Sequence, residues 1–385
     1  MFAYGMLAVI LALYLERIGL NKGAIGVLFA FTMLGDTLMS LFLTTRADRF
    51  GRKKTLVIGA FLMLGASVVF ALTSWVWLLV IAATVGVLSP SGNEVGPFLP
   101  VEQAALSEEL PAEKRVGVIA WYNLTGYFST ALGALVGGAE SQALRHSGWS
   151  ELASFKAVVI AHGLLGIAMA ALYSRLSKRA ETQAEKPSTP VWLGLHKSRS
   201  VVLKLSALFS VDAFAGGFVM QSLIAYWFHL RYGASAGQLG TLLFLGNLFA
   251  GVSSLLAVRI AKRFGLINTM VWTHIPSNIL LVLVPIAPSY ETAAALLLLR
   301  FCLSQMDVPT RQAYVMSVVD PDERSAAGGV TNVARSVGTS IAPLFTGLAF
   351  AVPAVGIPFL VAGGLKICYD LALWRLASKS PQVSI

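Results

Sequence analysis

TTRADRFGRKKTL, residues 44–56, joins two apolar runs, and its reading decides the fold. Five cations, Arg46, Arg49, Arg52, Lys53 and Lys54, surround one acid, Asp48, and one glycine, Gly51. The flanking runs, near residues 24–45 and 55–73, each approach the length of about 20 residues that a helix needs to cross a hydrocarbon core about 30 Å thick. A strongly basic junction between two such runs marks a short loop on the cytoplasmic side of a membrane. The glycine permits a tight turn, and the cations satisfy helix C-terminal carbonyls and anionic headgroups.

The same pattern recurs in the second half of the chain. RIAKRFGLINTM, residues 259–270, matches residues 45–56, placing Arg49, Phe50, Gly51 and Thr55 over Arg263, Phe264, Gly265 and Thr269 at an offset of 214. That offset also pairs Arg17 with Arg231, Gly19 with Gly233, Gly23 with Gly237 and Gly26 with Gly240. Farther along, Pro100, Gln103, Arg115, Asn123, Thr130 and Gly138 fall on Pro309, Gln312, Arg324, Asn332, Thr339 and Gly347 at an offset of 209. Self-similarity at this period, with odd helices pointing the same way, is the parallel repeat of a transporter with a pseudo-two-fold axis along the membrane normal. The drop in offset places five extra residues in the first half, around SPSGNEVGPFLP (89–100), where three prolines and two glycines interrupt an apolar helix. Because helix 7 begins near Val201, the offset also predicts that helix 1 is truncated, its partner position lying about 13 residues before Met1.

Twelve apolar runs span the chain, near residues 1–19, 24–45, 55–73, 75–100, 116–138, 154–174, 201–228, 236–259, 267–287, 292–316, 327–350 and 353–376. The fold expected is all-α and polytopic, with twelve transmembrane helices in two pseudo-symmetric six-helix bundles. Residues 1–174 form the first bundle, 175–200 a cytoplasmic linker and 201–385 the second bundle. The composition agrees: 56% of the 385 residues are hydrophobic and 12% charged, against about 45–50% and 25% in soluble proteins. That balance excludes an ordinary soluble enzyme, a disordered chain and a nucleic-acid-binding module. The net charge of +10 is topological, since 21 of the 29 Lys and Arg lie in one set of loops and 5 in the other. The positive-inside rule then places the even-numbered loops and the C-terminus in the cytoplasm of a multi-pass protein of the cell (inner) membrane. The first run has neither a basic lead-in nor a small-residue cleavage site, so it is not a cleavable signal peptide. Cys302 and Cys368 lie in apolar runs and offer no disulfide framework.

The junction at residues 44–54 resembles the G-x-x-x-D-R-x-G-R-K/R signature of the major facilitator superfamily, with Thr44 in place of the leading glycine. The twelve runs, the central linker and the repeat extend this resemblance over the whole chain. It implies a cytoplasmic gate: Asp48 caps helix 11 in the outward-facing state, and Arg52, beside Arg49 and Gly51, pairs with an acid at the end of helix 4, for which Glu102 and Glu108 are the candidates. Helix 5 carries Gly133-Ala134-Leu-Val-Gly137-Gly138, which resembles the family's antiporter motif G-P-x-x-G-G with Ala134 replacing proline. Small residues at this spacing also serve simple close packing of helices.

Ionisable side chains at membrane depth cost several kcal/mol and mark function by default. Asp36 in helix 2, Glu94 in helix 4, Asp212 in helix 7 and Asp307 in helix 10 are the candidate proton-coupling acids. Some drug and proton antiporters of the family carry acids on helices 7 and 10, an arrangement that Asp212 and Asp307 resemble. Arg300 and Arg335, with Asn93 in the broken helix 4, are the candidate substrate-binding residues. A rival account pairs Asp212 or Asp307 with Arg300 or Arg335 in a structural ion pair. Lys366 and Asp370, four residues apart near the end of helix 12, read as a snorkelling i,i+4 pair. His162 and His274 stand isolated in apolar helices, so no metal site is expected, and without a P-loop no cofactor or ATP drive is either.

The function expected is secondary active transport of a small solute by alternating access, as proton-coupled efflux of small amphipathic compounds. The partners expected are a small-molecule substrate, protons and membrane lipids, with no nucleic acid, for a monomer that is not an enzyme. Uptake or exchange of an organic anion is the alternative of the same class. A non-transporting membrane receptor or assembly factor is the alternative of another class.

Overall fold

The computed structural model describes residues 1–92, 97–109, 111–177, 195–350 and 356–378; within them, the side chains of residues 44–49, 107–109, 112–117, 120, 321, 325 and 378 lie outside the description. Among the described residues every regular element is helical. Nine of the twelve expected spans are single helices: α1 (Phe2–Arg17), α2 (Lys22–Phe50), α3 (Arg52–Leu72), α6 (Ala112–His146), α7 (Glu151–Ser174), α10 (Ala236–Phe264), α11 (Leu266–Leu283), α14 (Arg324–Ala349) and α15 (Ile357–Ser378). The other three are pairs. Span 4 divides into α4 (Val76–Val85) and α5 (Phe98–Glu109), span 7 into α8 (Arg199–Gly217) and α9 (Gln221–Tyr232), and span 10 into α12 (Tyr290–Ser304) and α13 (Asp307–Val318). The break in span 4 falls in the proline- and glycine-rich stretch that predicted it. Those in spans 7 and 10 were not legible in the sequence.

Seven of the described helical segments are long and apolar enough by themselves to cross a bilayer, Arg199–Tyr232 counting as one of them. Many large apolar side chains point outward, among them Leu72 at 80%, Trp121 at 70% and Leu348 at 70% exposure. Outward faces this apolar belong against hydrocarbon, not water.

The basic junction is shorter than a loop. Helix α2 continues through Phe50 and α3 starts at Arg52, so the turn consists of Gly51 alone, at φ 97° and ψ 131°. Its repeat partner does the same: Gly265 separates α10 from α11 at φ 81° and ψ 163°. Gly19 and Gly233, also paired by the repeat, have φ values of 100° and 66°. Backbone in this region excludes a Cβ without strain, which explains a glycine at both copies of each turn.

The chain forms two compact units, one of residues 1–186 with 220–244 and the other of residues 187–219 with 245–385. In the first, α1 packs on α6 with Gly5 against the Thr130 carbonyl. Its core gathers Tyr4, Leu56, Met63, Phe98 and Val101. In the second, α8 packs on α14 with Gly217 against the Thr339 carbonyl, the repeat partner of Thr130. Phe209, Met270, Tyr314, Tyr369 and Leu373 form the core of that unit.

Candidate functional site

The second unit buries a network of charges at the depth where helices are otherwise apolar. Its hub is Asp212, on the fourth turn of α8 and 2% exposed. One carboxylate oxygen accepts from Lys366 Nζ of α15 at 2.5 Å and the other from Arg335 Nη1 of α14 at 2.9 Å. Arg311 of α13 approaches the second oxygen at 3.7 Å. Arg311 also donates to Asp307 at 2.5 Å, so the two acids expected on helices 7 and 10 are joined through one guanidinium.

Local structure explains how these groups are presented. The break at Gln305 and Met306 makes Asp307 the first residue of α13, where an anion is favoured by the free N–H groups of the helix start. Arg311 follows one turn later, in the orientation in which an acid precedes its cation by four residues. The Arg311 guanidinium also lies 5.7 Å from the Phe209 ring centroid, which holds the plane of the fork.

A second polar cluster lies on α11 and α15. His274 Nδ1 is 2.9 Å from Asp370 Oδ1, and the Asn278 amide donates to Oδ2 at 3.1 Å. Asp370 is fully buried, and His274 is 3% exposed. Arg300 of α12 is 7% exposed, lies 5.3 Å from the Phe301 ring centroid, and leaves its Nε without a hydrogen-bond partner among the described residues. It lies within electrostatic reach of both Asp212 and Asp307.

Three sequence readings are corrected here. Lys366 and Asp370 do not pair with each other: Lys366 turns to Asp212, and Asp370 to His274 and Asn278. Arg311, one of the 21 cations assigned to the cytoplasmic loops, is 7% exposed inside the network. His274 is not isolated. A spacing of four between Asp307 and Arg311 was the available signal for Arg311, whereas nothing local marks His274 as the partner of a residue 96 positions away.

The remaining expected site residues lie in the first unit. Asp36 is half-buried on α2 and has a polar partner. Gly51 is the turn, and Arg52, at the start of α3, is 4% exposed. Glu102 on α5 accepts hydrogen bonds from the hydroxyls of Tyr122 and Tyr173, one on each oxygen. Asn93 and Glu94 lie outside the described residues, as do the side chains of Asp48, Arg49 and Glu108. The glycines of the helix 5 motif are points of close approach. A Cβ at Gly133 would run into the Phe2 carbonyl of α1, one at Gly137 would lie 2.7 Å from the Met6 carbonyl, and one at Gly138 would lie 2.8 Å from Gly240 Cα of α10.

A chain whose described elements are all helical, with apolar outward faces and a buried network of charges, is a multi-pass integral membrane protein built as a carrier. The sequence profile of the Major Facilitator Superfamily matches residues 1–343 and 214–382, and the chain belongs to that family. Its members are transporters of small molecules and not enzymes. The chain is 28% identical to the Uncharacterized membrane protein YJR124C of Saccharomyces cerevisiae, covering 97% of this chain and 90% of that one. It is 24% identical to the Multidrug resistance protein MdtG of Escherichia coli, covering 99% and 93%. The structure resembles that of the nucleoside transporter NupG with a TM-score of 0.74 and 14% identity, over 98% of this chain and 96% of that one.

Proposed function

We propose that this transporter exports small amphipathic compounds in exchange for protons, by alternating access. The observation that carries the reading is the buried network centred on Asp212, which ties α8, α13, α14 and α15 together through charge. Pairs at this depth are costly to break while both partners stay charged, so a proton arriving in the network changes which helix arrangement is favoured. The direction of transport rests on the likeness to MdtG, named as a multidrug resistance protein. Under this reading Asp212 and Asp307, with Glu94 and Asp36, belong to the coupling machinery, and Asp48, Arg49, Gly51 and Arg52 with Glu102 or Glu108 form the cytoplasmic gate. The protein acts as a monomer in the cell (inner) membrane, with its C-terminus in the cytoplasm.

The test is a pH jump across proteoliposomes holding the full-length protein, with ethidium as the amphipathic probe. Ethidium moves against the imposed proton gradient and stops when an uncoupler collapses it. Transport unchanged by the uncoupler sinks the coupling.

One observation favours uptake or exchange of an organic anion instead. Four cations (Arg300, Arg311, Arg335 and Lys366) face three carboxylates (Asp212, Asp307 and Asp370), an excess of one positive charge. Arg335, with 26% of its side chain exposed, is the member that a substrate carboxylate reaches first. Benzoate-driven exchange that is lost in Arg335→Gln, with ethidium untouched, selects this second reading.

A further inference from the structure

We infer that the proton-binding site of the second unit is the His274–Asp370 pair, and that Asp212 and Asp307 anchor cations instead of carrying the proton. This assignment rests on the proton-coupled reading above for its role in transport. Asp212 contacts three cations and Asp307 contacts Arg311 at 2.5 Å. A proton on either carboxylate forfeits those contacts and strands buried positive charge, the most expensive change the network offers.

Asp370 differs in kind. It is fully buried, yet among the described residues its two oxygens meet only the imidazole of His274 at 2.9 Å and the neutral amide of Asn278 at 3.1 Å. Lys366, one turn away on the same helix, is committed to Asp212. A buried carboxylate without a cation in contact is the place where one added proton supplies the missing counter-charge. An ionised carboxylate is acceptor only, so Nδ1 of His274 carries the hydrogen that Asp370 accepts. The incoming proton therefore binds Nε2, turning a hydrogen bond from a neutral imidazole to a carboxylate into an imidazolium–carboxylate pair. Release returns the neutral imidazole.

The groups around the pair keep the proton exchangeable. From α15, Asp370 favours it, Lys366 opposes it, and the Tyr369 ring packs edge-on with its centroid 6.4 Å from that of His274. Arg300 of α12 accepts a hydrogen bond from Ser277 of α11 through its backbone carbonyl. On α13, Arg311 and Asp307 are paired with each other at 2.5 Å, and Tyr314 shares the core with Met270 and Val271 of α11. Asp212 of α8 is within electrostatic reach of His274 and favours the charged imidazole. Direct contact with Asp370 binds the proton, and the excess of cations farther off, weakened by distance, keeps it from being held permanently.

Nitrogen NMR of the full-length protein, labelled at the histidine imidazoles and held in lipid nanodiscs, tests this. The resonance that disappears in His274→Gln is expected to change from neutral to doubly protonated as pH is lowered across the range in which the protein stays folded. In Asp370→Asn it stays neutral across that range. If His274→Gln fails to fold, a chain with His146, His162, His196 and His229 replaced by Gln leaves His274 as the sole signal. An imidazole of His274 that remains neutral throughout, or that titrates identically in Asp370→Asn, overturns the assignment. The two readings fail separately. A titrating His274 in a protein whose ethidium transport ignores the proton gradient overturns the coupling and leaves the site; proton-driven transport with a silent His274 does the reverse.

Discussion

Asp212 presents one carboxylate to three cations, and the sign of that arrangement decides what its removal does. Asp212→Asn keeps the shape but leaves the buried Lys366 and Arg311 and the half-buried Arg335 against a neutral amide. Breaking a buried pair from one side costs about 3–5 kcal/mol, so the variant should unfold well below the parent in a thiol-reactive dye melt. Adding Lys366→Met removes one of the stranded charges, and the double variant should recover part of that loss, because contacting residues are coupled. A double variant no better than the single would show that Lys366 and Asp212 are energetically independent. At Gly51 the argument is backbone strain, not charge. Gly51→Ala forces a Cβ onto φ 97° and should cost about 1–3 kcal/mol, with Gly265→Ala costing a similar amount in its own unit. Unchanged melting in both would mean that the turns relax freely.

At the scale of elements, each unit repeats the same joints with different chemistry. Spans 3 and 6 are tied in the first unit by Ser67 Oγ and His162 Nδ1 at 2.8 Å, and spans 9 and 12 in the second by His274 and Asp370. Only the second joint contains a carboxylate, which is why it can store a proton as an ion pair. Where α6 meets α1, the Gly133 site has no room for a side chain, so Gly133→Val should prevent accumulation of folded protein, while Gly65→Val, at a glycine with open space, should be tolerated. Equal yields of the two variants would contradict the packing. A further joint holds the start of α8. Glu323, which closes the short 3-10 turn Pro321–Glu323, accepts from the backbone N–H groups of His196, Lys197 and Ser198. Burial opposes its ionisation, but hydrogen bonds from Ser198 and His196 outweigh burial and hold the carboxyl down at about 2. The folded value lies below the unfolded value of about 4.3. Its contribution is therefore complete above the unfolded value and is lost as pH falls from there through about 2. Glu323→Gln should flatten the acid limb of the melting profile in that window, and an identical limb would remove Glu323 from the account.

At the scale of the whole molecule, the charge distribution sets orientation. With Arg311 moved into the buried network, 20 cations remain in one set of loops against 5 in the other, and they predict a cytoplasmic C-terminus. A green fluorescent protein fused after Ile385 should fluoresce, and alkaline phosphatase at the same point should be inactive. The opposite pair of results would invert the topology.

Much of the fold was legible because it follows from local and periodic features. Run length in the membrane, the count of cations per loop and the offset of 214 between two glycine turns are all properties of a linear string. They determined the spans, the repeat, the break in span 4 and a glycine turn in each repeated junction, though not that each turn is a single residue. Asp212, Asp307, Arg300 and Arg335 were legible as buried charges for the same reason, since an ionisable residue in an apolar run needs no partner to be noticed. Their pairing was not. Lys366 meets Asp212 across 154 residues, Arg335 meets it across 123, and Asp370 meets His274 across 96. A helix apolar on all sides carries little periodicity to say which face turns inward, and a nearby i,i+4 acid and base look like a pair until each is given a better one. The sequence by itself determined that Asp212, Asp307, Arg300 and Arg335 lie at membrane depth, and it missed Arg311. Only the tertiary structure decided which cation each carboxylate meets and which carboxylate meets none, because that choice depends on the rotation and depth of helices packed together from distant parts of the chain.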